Sequence, residues 1–233
     1  MRSSLFIFPF THHSMVLTWF LLIGFLFFGG TALAQQDTAF SENPFTDVPV
    51  NSTYYQSIEY LRTQNVLKGY LDGTFRPATR INRAEFVHFV VNPFIVDTNN
   101  MSDCLRANVP TGVNTVFFSD VARDSWYATD VCFAKMNAII DGYPNGTYGP
   151  ANSINFVEAA KIICNVFSLS IEAKDTGEFW YRPYVQRLSD LRAIPVSITR
   201  FDQTMTRGEM AEIVYRLKVS ERNKTSATIS NLR

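Results

Sequence analysis

Residues 69–86 read GYLDGTFRPATRINRAEF, and residues 142–159 read GYPNGTYGPANSINFVEA, the same order of turn, stop and helix start 73 residues further on. Asp72-Gly73 and Asn145-Gly146 are strong turn pairs, because glycine takes positive φ and the Asx side chain bonds locally. Pro77 and Pro150 keep the next residues extended. Asn82-x-x-Glu85 and Asn155-x-x-Glu158 then read as capping boxes: the cap side chain accepts from the third helical amide, and the Glu reaches back to the cap's own amide. Gly69 and Gly142 follow the last apolar residues of a preceding helical pattern, where they are expected to close that helix.

Working outward, the match continues without a gap through Phe45 and Phe118, Asp47-Val48 and Asp120-Val121, Tyr54 and Tyr127, and Ile58 and Val131. Such a run marks a duplicated structural unit. A third, eroded copy follows. Trp180-Tyr181 matches Trp126-Tyr127, Val185 and Leu188 keep the spacing of Val131 and Ala134, and Met205-Thr206-Arg207-Gly208-Glu209 repeats the helix start. Glu209 lies only 51 residues after Glu158, so three residues are gone from the interval that carries Gly-Tyr elsewhere.

Each copy predicts two helices. The first begins near Tyr54, Tyr127 or Tyr181; the second follows the cap with apolar faces at Phe86, Phe89 and Val90, at Val157, Ile162 and Val166, and at Met210, Ile213, Val214 and Leu217. One such pair cannot bury its apolar face alone, whereas three packed pairs can. The expected fold is therefore mainly α, three helix-pair repeats in a pseudo-threefold arrangement. Its repeats would span 45–91, 118–167 and 178–218, with an irregular insertion at 92–117. The polar, aperiodic stretch 219–233 is expected to be a loose tail.

The apolar run Val16–Phe28, 13 residues, ends in Gly29-Gly30 and Ala32-Leu33-Ala34. It is short for a membrane span and reads as a cleavable secretory signal over 1–34; an uncleaved anchor is the alternative. No later run is long enough to span. The chain has 21 basic and 21 acidic side chains, and losing Arg2 leaves an excess of one acid. Phosphate binding relies on clustered Lys and Arg, so nucleic acid is not an expected partner. Cys104, Cys132 and Cys164 would meet an oxidising compartment, where one disulfide plus one thiol is a natural arithmetic. Cys104 lies in an irregular stretch that needs tethering and Cys164 among apolar residues, which favours Cys104–Cys132; three unpaired thiols is the alternative. No spacing resembles a metal site, and no cofactor is expected.

The segment FTDVPVNSTYYQSIEYLRTQNVLKGYLDGTFRPATRINRAEF, 45–86, is similar to an S-layer homology repeat, and FSDVARDSWYATDVCFAKMNAIIDGYPNGTYGP, 118–150, resembles it nearly as well. The third copy shows the likeness through Trp-Tyr and Thr-Arg-Gly-Glu. The resemblance implies a three-pronged spindle whose grooves hold bacterial cell-wall polysaccharide bearing a negatively charged pyruvyl ketal. The Arg of Thr-Arg-Ala-Glu is its central ligand contact. Carried over, this gives Arg83 and Arg207, with Asn82, Thr206, Trp126, Glu85 and Glu209 around them. A helix start with free amides and partial positive charge favours an anion, and Arg adds a planar cationic fork. Phe156 stands where the second copy would carry Arg. That substitution and the lost Gly-Tyr turn are expected to compromise one groove each.

Plainer roles compete at every position. The glutamates serve as caps, the arginines as solvated first-turn residues, and Tyr54, Trp126 and Tyr181 as groove-wall or core aromatics. Asp72 and Asn145 form turns rather than bind calcium, since one carboxylate per loop is too few. Glycoside hydrolysis needs two carboxylates flanking one bond, yet the repeated acids occupy caps and openings. A hydrolytic triad would have to use His88, which has no nucleophile motif beside it. The expectation is a secreted, non-catalytic module at the cell surface that binds secondary cell-wall polysaccharide or a peptidoglycan-linked glycan. The alternative is a structural or adhesive scaffold that has lost sugar binding.

Overall fold

Helix starts organise this chain, because the amides they leave open must find carbonyls elsewhere. The computed structural model describes residues 44–91, 93, 98–172 and 177–233, all within one compact unit, 35–233. The expected signal and parts of the insertion lie outside the described residues. The fold is mainly helical: α1 (Tyr55–Thr63), α2 (Arg83–Val91), α3 (Thr98–Asn108), α4 (Ala128–Met136), α5 (Phe156–Val166), α6 (Arg182–Asp190) and α7 (Arg207–Val219). A short antiparallel pair, β1 (Thr115–Val116) and β2 (Phe118–Ala122), precedes α4, and a 3-10 turn spans Ile229–Asn231.

All three capping boxes form. Asn82, Asn155 and Thr206 accept from the amides of Glu85, Glu158 and Glu209, whose carboxylates return to the cap amides. The next amides cross between helix pairs. Arg83 and Ala84 donate to the carbonyls of Asn152 and Pro150, Phe156 and Val157 to those of Gln203 and Phe201, and Arg207 and Gly208 to those of Thr79 and Pro77. The residues before the caps close a ring: Ile81 donates to Met205 (3.0 Å), Met205 to Ile154 (2.9 Å) and Ile154 to Ile81 (3.1 Å). All three side chains are buried. Outside this ring α2 packs on α4, α5 on α6 and α7 on α1.

The first helices end differently from expectation. Asn65, Ala138 and Arg192 take the left-handed conformation at φ 55°, 54° and 55°. The amides of Val66, Ile139 and Ala193 then return to Leu61, Ala134 and Leu188, closing each helix in the Schellman manner. Gly69 and Gly142 come too late in the chain to do this. They are needed because an aromatic ring lies on them: a Cβ at Gly69 would sit 2.3 Å from the Phe45 ring, and one at Gly142 2.2 Å from the Phe118 ring. The Phe-x-Asp-Val openings thus clamp their own turns. Asp47 accepts from the amides of Phe75 and Arg76, and Asp120 from those of Tyr148 and Gly149, all at 2.7 Å.

The stretch 219–233 is not loose. Ala227 and Leu232 are buried, and the amide of Ala227 donates to Ile194. Phe201 and Arg233 are joined by backbone hydrogen bonds, as are Arg233 and Thr199. Lys224 reaches both carboxylate oxygens of Glu212 (2.9 and 3.0 Å), which also pairs with Arg216. Its composition is polar because many of its contacts are polar, which a hydropathy pattern does not register.

In the insertion, Cys104 of α3 is bonded to Cys132 of α4, with the Cα atoms 6.1 Å apart, and Arg123 donates to the carbonyls of Val109 and Pro110. Cys164 is free and buried, and burial pushes its thiol up to about 12. The thiolate is the reactive form. Ellman titration at pH 8 should therefore find no reactive thiol in the native protein, one in denaturant and three after reduction. A fast-reacting native thiol would contradict this packing.

Candidate functional site

The crossed helix starts decide where each arginine goes. Because the first turn of α2 docks on Pro150 and Asn152, Arg83 is delivered under the second Gly-Tyr turn, away from its own. It is 5% exposed. Its Nε donates to the Tyr148 carbonyl (2.7 Å), the Tyr148 hydroxyl donates back to the Arg83 carbonyl (3.0 Å), and Nη1 pairs with Glu158 Oε1 (3.0 Å). The guanidinium lies 4.7 Å over both the Tyr143 and Tyr148 rings, and the Tyr143 hydroxyl donates to Glu158 (3.1 Å).

Arg207 repeats this under the first turn. It is 2% exposed. Nε donates to the Phe75 carbonyl (2.8 Å) and Nη2 to the Lys68 carbonyl (3.3 Å). The rings of Tyr70, Phe75 and Phe89 lie 4.6–4.8 Å from the guanidinium carbon. Burial lowers its pKa, opposed by Tyr70 and Glu85, and a guanidinium starts far enough above neutral to stay cationic here.

Around Arg83 the surface opens into a cleft of about 520 Å³. Its walls include Tyr143, Asn155, Glu158, Lys161 and Trp180. Lys161 sits 5.5 Å over the Trp180 ring and pairs with Asp141. The corresponding junction near Arg207 presents Tyr70 and Phe89, then His88 edge-on to Trp126 at 5.5 Å. Trp126 is 50% exposed, and His88 Nδ1 lies 2.8 Å from Asp130. Aromatic faces beside fixed donors and acceptors suit a sugar, whose C–H face stacks while its hydroxyls bond. A larger hollow of about 620 Å³ lies between α6 and the last 3-10 turn. None of the expected site residues lines it.

The residues singled out from sequence are thus regrouped. Arg83 meets Asn155 and Glu158 rather than its neighbours Asn82 and Glu85, and Arg207 lies against Phe89, next in the chain to the His88 that meets Trp126. Thr206 and Glu209 belong to a third junction, where Glu209 is 3% exposed and bonded to Thr206 and Gln203. The Tyr54 ring covers that helix start, 2.4 Å from where a Cβ on Gly208 would stand. The first-turn amides are not free for an anion, since carbonyls from another helix pair already take them. Tyr143, Tyr148, Glu158, Lys161 and Trp180 were missed, although the repeat register marks several of them: Trp180 is the counterpart of Trp126, and Glu158 of Glu85.

Phe156 and the missing Gly-Tyr turn also coincide. The first turn of α5 docks on Phe201 and Gln203, so an arginine at 156 would serve the very turn that has been lost. The two departures fall on one junction, and the other two each keep an arginine and a tyrosine turn.

Comparison with known proteins agrees with this internal register. The chain is 26% identical over 183 residues to the middle cell wall protein of Brevibacillus brevis, covering 78% of this chain and 16% of that protein. It is 28% identical over 123 residues to cell surface glycoprotein 1 of Acetivibrio thermocellus, covering 53% and 5%. It is 24% identical over 161 residues to the surface layer protein of Brevibacillus choshinensis, covering 69% and 13%. It therefore spans only a small part of these relatives. Residues 44–87 and 117–160, the segments that carry the two complete turns, match the S-layer homology domain.

Proposed function

We propose that this chain is an exported, non-catalytic module of the S-layer homology type that holds to a bacterial cell surface. Three helix pairs stand around a pseudo-threefold axis, and anionic, pyruvyl-ketal-bearing wall polysaccharide occupies clefts between them. The cleft at Arg83, with Tyr143, Trp180, Lys161, Asn155 and Glu158 in its walls, carries the reading. The closed ring through Ile81, Met205 and Ile154 supports the axis, and the two domain matches and three surface-protein relatives support the location. The apolar run ending in Ala32-Leu33-Ala34 supports export. The repeated glutamates already serve as caps, which supports a role without catalysis.

A scaffold without glycan binding is the second reading. It is favoured by the burial of both guanidiniums, each of which already joins two helix pairs. Co-sedimentation with purified cell walls separates the two. Binding that falls at least tenfold after mild acid removal of pyruvate supports the first. Walls that pellet the protein equally with and without pyruvate, or not at all, favour the second.

A further inference from the structure

We propose that the hollow between α6 and the last 3-10 turn binds a short zwitterionic peptide, whose carboxylate pairs with Arg187. The site is separate from the glycan clefts and does not depend on them.

The repeat register shows why a space is left here. Arg187 stands where the first copy has Tyr60 and the second Phe133. Those aromatics are packed: Tyr60 lies edge-on to Tyr215 at 5.2 Å, and Phe133 lies against the core. Gln186 stands where the second copy has Cys132, the residue that fastens α3 to α4. The third copy therefore has no aromatic at this position and no cysteine to hold a covering helix. A volume of about 620 Å³ remains, within the range of about 300–1,000 Å³ usual for small-ligand sites.

Arg187 lines that space and is only partly exposed. Its Nε is buried without a hydrogen-bond partner, and its guanidinium forms no ion pair among the described residues. Its charge reaches the Cys164 thiol on α5, which burial keeps protonated. A buried guanidinium nitrogen left unpaired is costly, and a carboxylate answers it, because Nε and one Nη offer two parallel donors. Arg182, also on the wall, is exposed and lies 4.3 Å over the Phe179 ring.

Two acids share the wall, Glu172 and Asp190, both exposed. Asp190 accepts from Gln186 (2.7 Å), and neither acid pairs with an arginine among the described residues. The wall thus sums to zero net charge with its signs held apart. A plain anion gains from Arg187 but is opposed by both acids. A zwitterion answers both signs, with its carboxylate at Arg187 and its ammonium toward the acids. Ile171, Phe201 and Leu232 add apolar surface for aliphatic side chains.

Calorimetric titration with leucyl-leucine tests this, alongside its C-terminal amide, which lacks the carboxylate, and its N-acetyl form, which lacks the ammonium. The dipeptide should bind with a Kd of about 1 mM or better. The N-acetyl form should bind severalfold more weakly, and the amide at least tenfold more weakly. Arg187→Phe restores the aromatic of the other copies and removes the orphaned nitrogen. It should keep or raise the urea midpoint while abolishing dipeptide binding, which a merely structural arginine would not do. Arg187→Lys keeps the charge without the fork and should lose about tenfold. In proton–nitrogen spectra the dipeptide should shift the Nε–H signal that Arg187→Phe removes. The assignment is overturned if the amide or the N-acetyl form binds as tightly as the dipeptide, or if Arg187→Phe leaves the affinity within twofold. Absence of any binding to the unaltered protein at about 10 mM dipeptide overturns it as well.

Discussion

Gly142→Ala is expected to cost about 3 kcal/mol of unfolding free energy, because it combines two penalties that this chain also presents singly. At Gly142 φ is +79°, and a Cβ would lie 2.2 Å from the Phe118 ring and 2.9 Å from the Thr147 carbonyl. Gly146 has φ +81° with nothing within 4 Å, so Gly146→Ala should cost only the left-handed conformation, about 1 kcal/mol. Gly69 lies outside the left-handed region, but its Cβ would meet Phe45 at 2.3 Å and the Thr74 carbonyl at 2.6 Å. Gly69→Ala should cost about 2 kcal/mol from crowding alone. Urea denaturation of the three variants at 25 °C gives the ranking. Equal losses at Gly142 and Gly146 would mean that the ring clamp contributes nothing.

The clamp also shows where sequence reading reached its limit. Caps, turns and helix starts were legible because each is a local device: Asn82 and Glu85 speak to each other across three residues, and nothing distant changes their bond. The doubling of Gly-Tyr was equally plain, but its purpose was misread, since a glycine required by a ring 24 residues earlier looks the same as one that ends a helix. Arg83 and Arg207 were singled out, yet apart from Trp126 the residues expected around them came from the two copies that carry them. In the structure each arginine serves the turn of another copy, because the helix start that carries it docks there. Adjacency along the chain was the wrong guide, and register between copies would have been the right one: Trp126 and Trp180, or Lys68 and Asp141, become comparable only once the copies are superposed. The third junction shows the same thing in reverse. Two losses that looked independent in sequence remove the two halves of a single site.

Deleting residues 221–233 is expected to cost at least about 3 kcal/mol, although their composition reads as dispensable. The loss has identifiable parts. Ala227 and Leu232 leave the core. The Ile194 carbonyl loses the Ala227 amide and the Ser226 hydroxyl, and the buried Arg216 loses the Thr225 carbonyl. Glu212 keeps Arg216 but loses the ammonium that bridges its two oxygens. The segment lies against Leu191–Ile194 and Thr199–Phe201, which correspond to the approach and exit of the turn that the third copy lacks. Its contacts take the place of that turn, so its removal should loosen α6 and α7 together and should not merely trim a surface. Lys224→Met, which removes the ammonium's contacts with Glu212 and Tyr215 and leaves the segment seated, should cost only about 1 kcal/mol. Urea midpoints give the comparison, and hydrogen exchange should show the amides of α7 losing protection in the deletion and keeping it in Lys224→Met. A deletion variant as stable as the full segment would mean that the ring around Met205 and the packing of α6 on α5 and α7 on α1 hold the third helix pair without it.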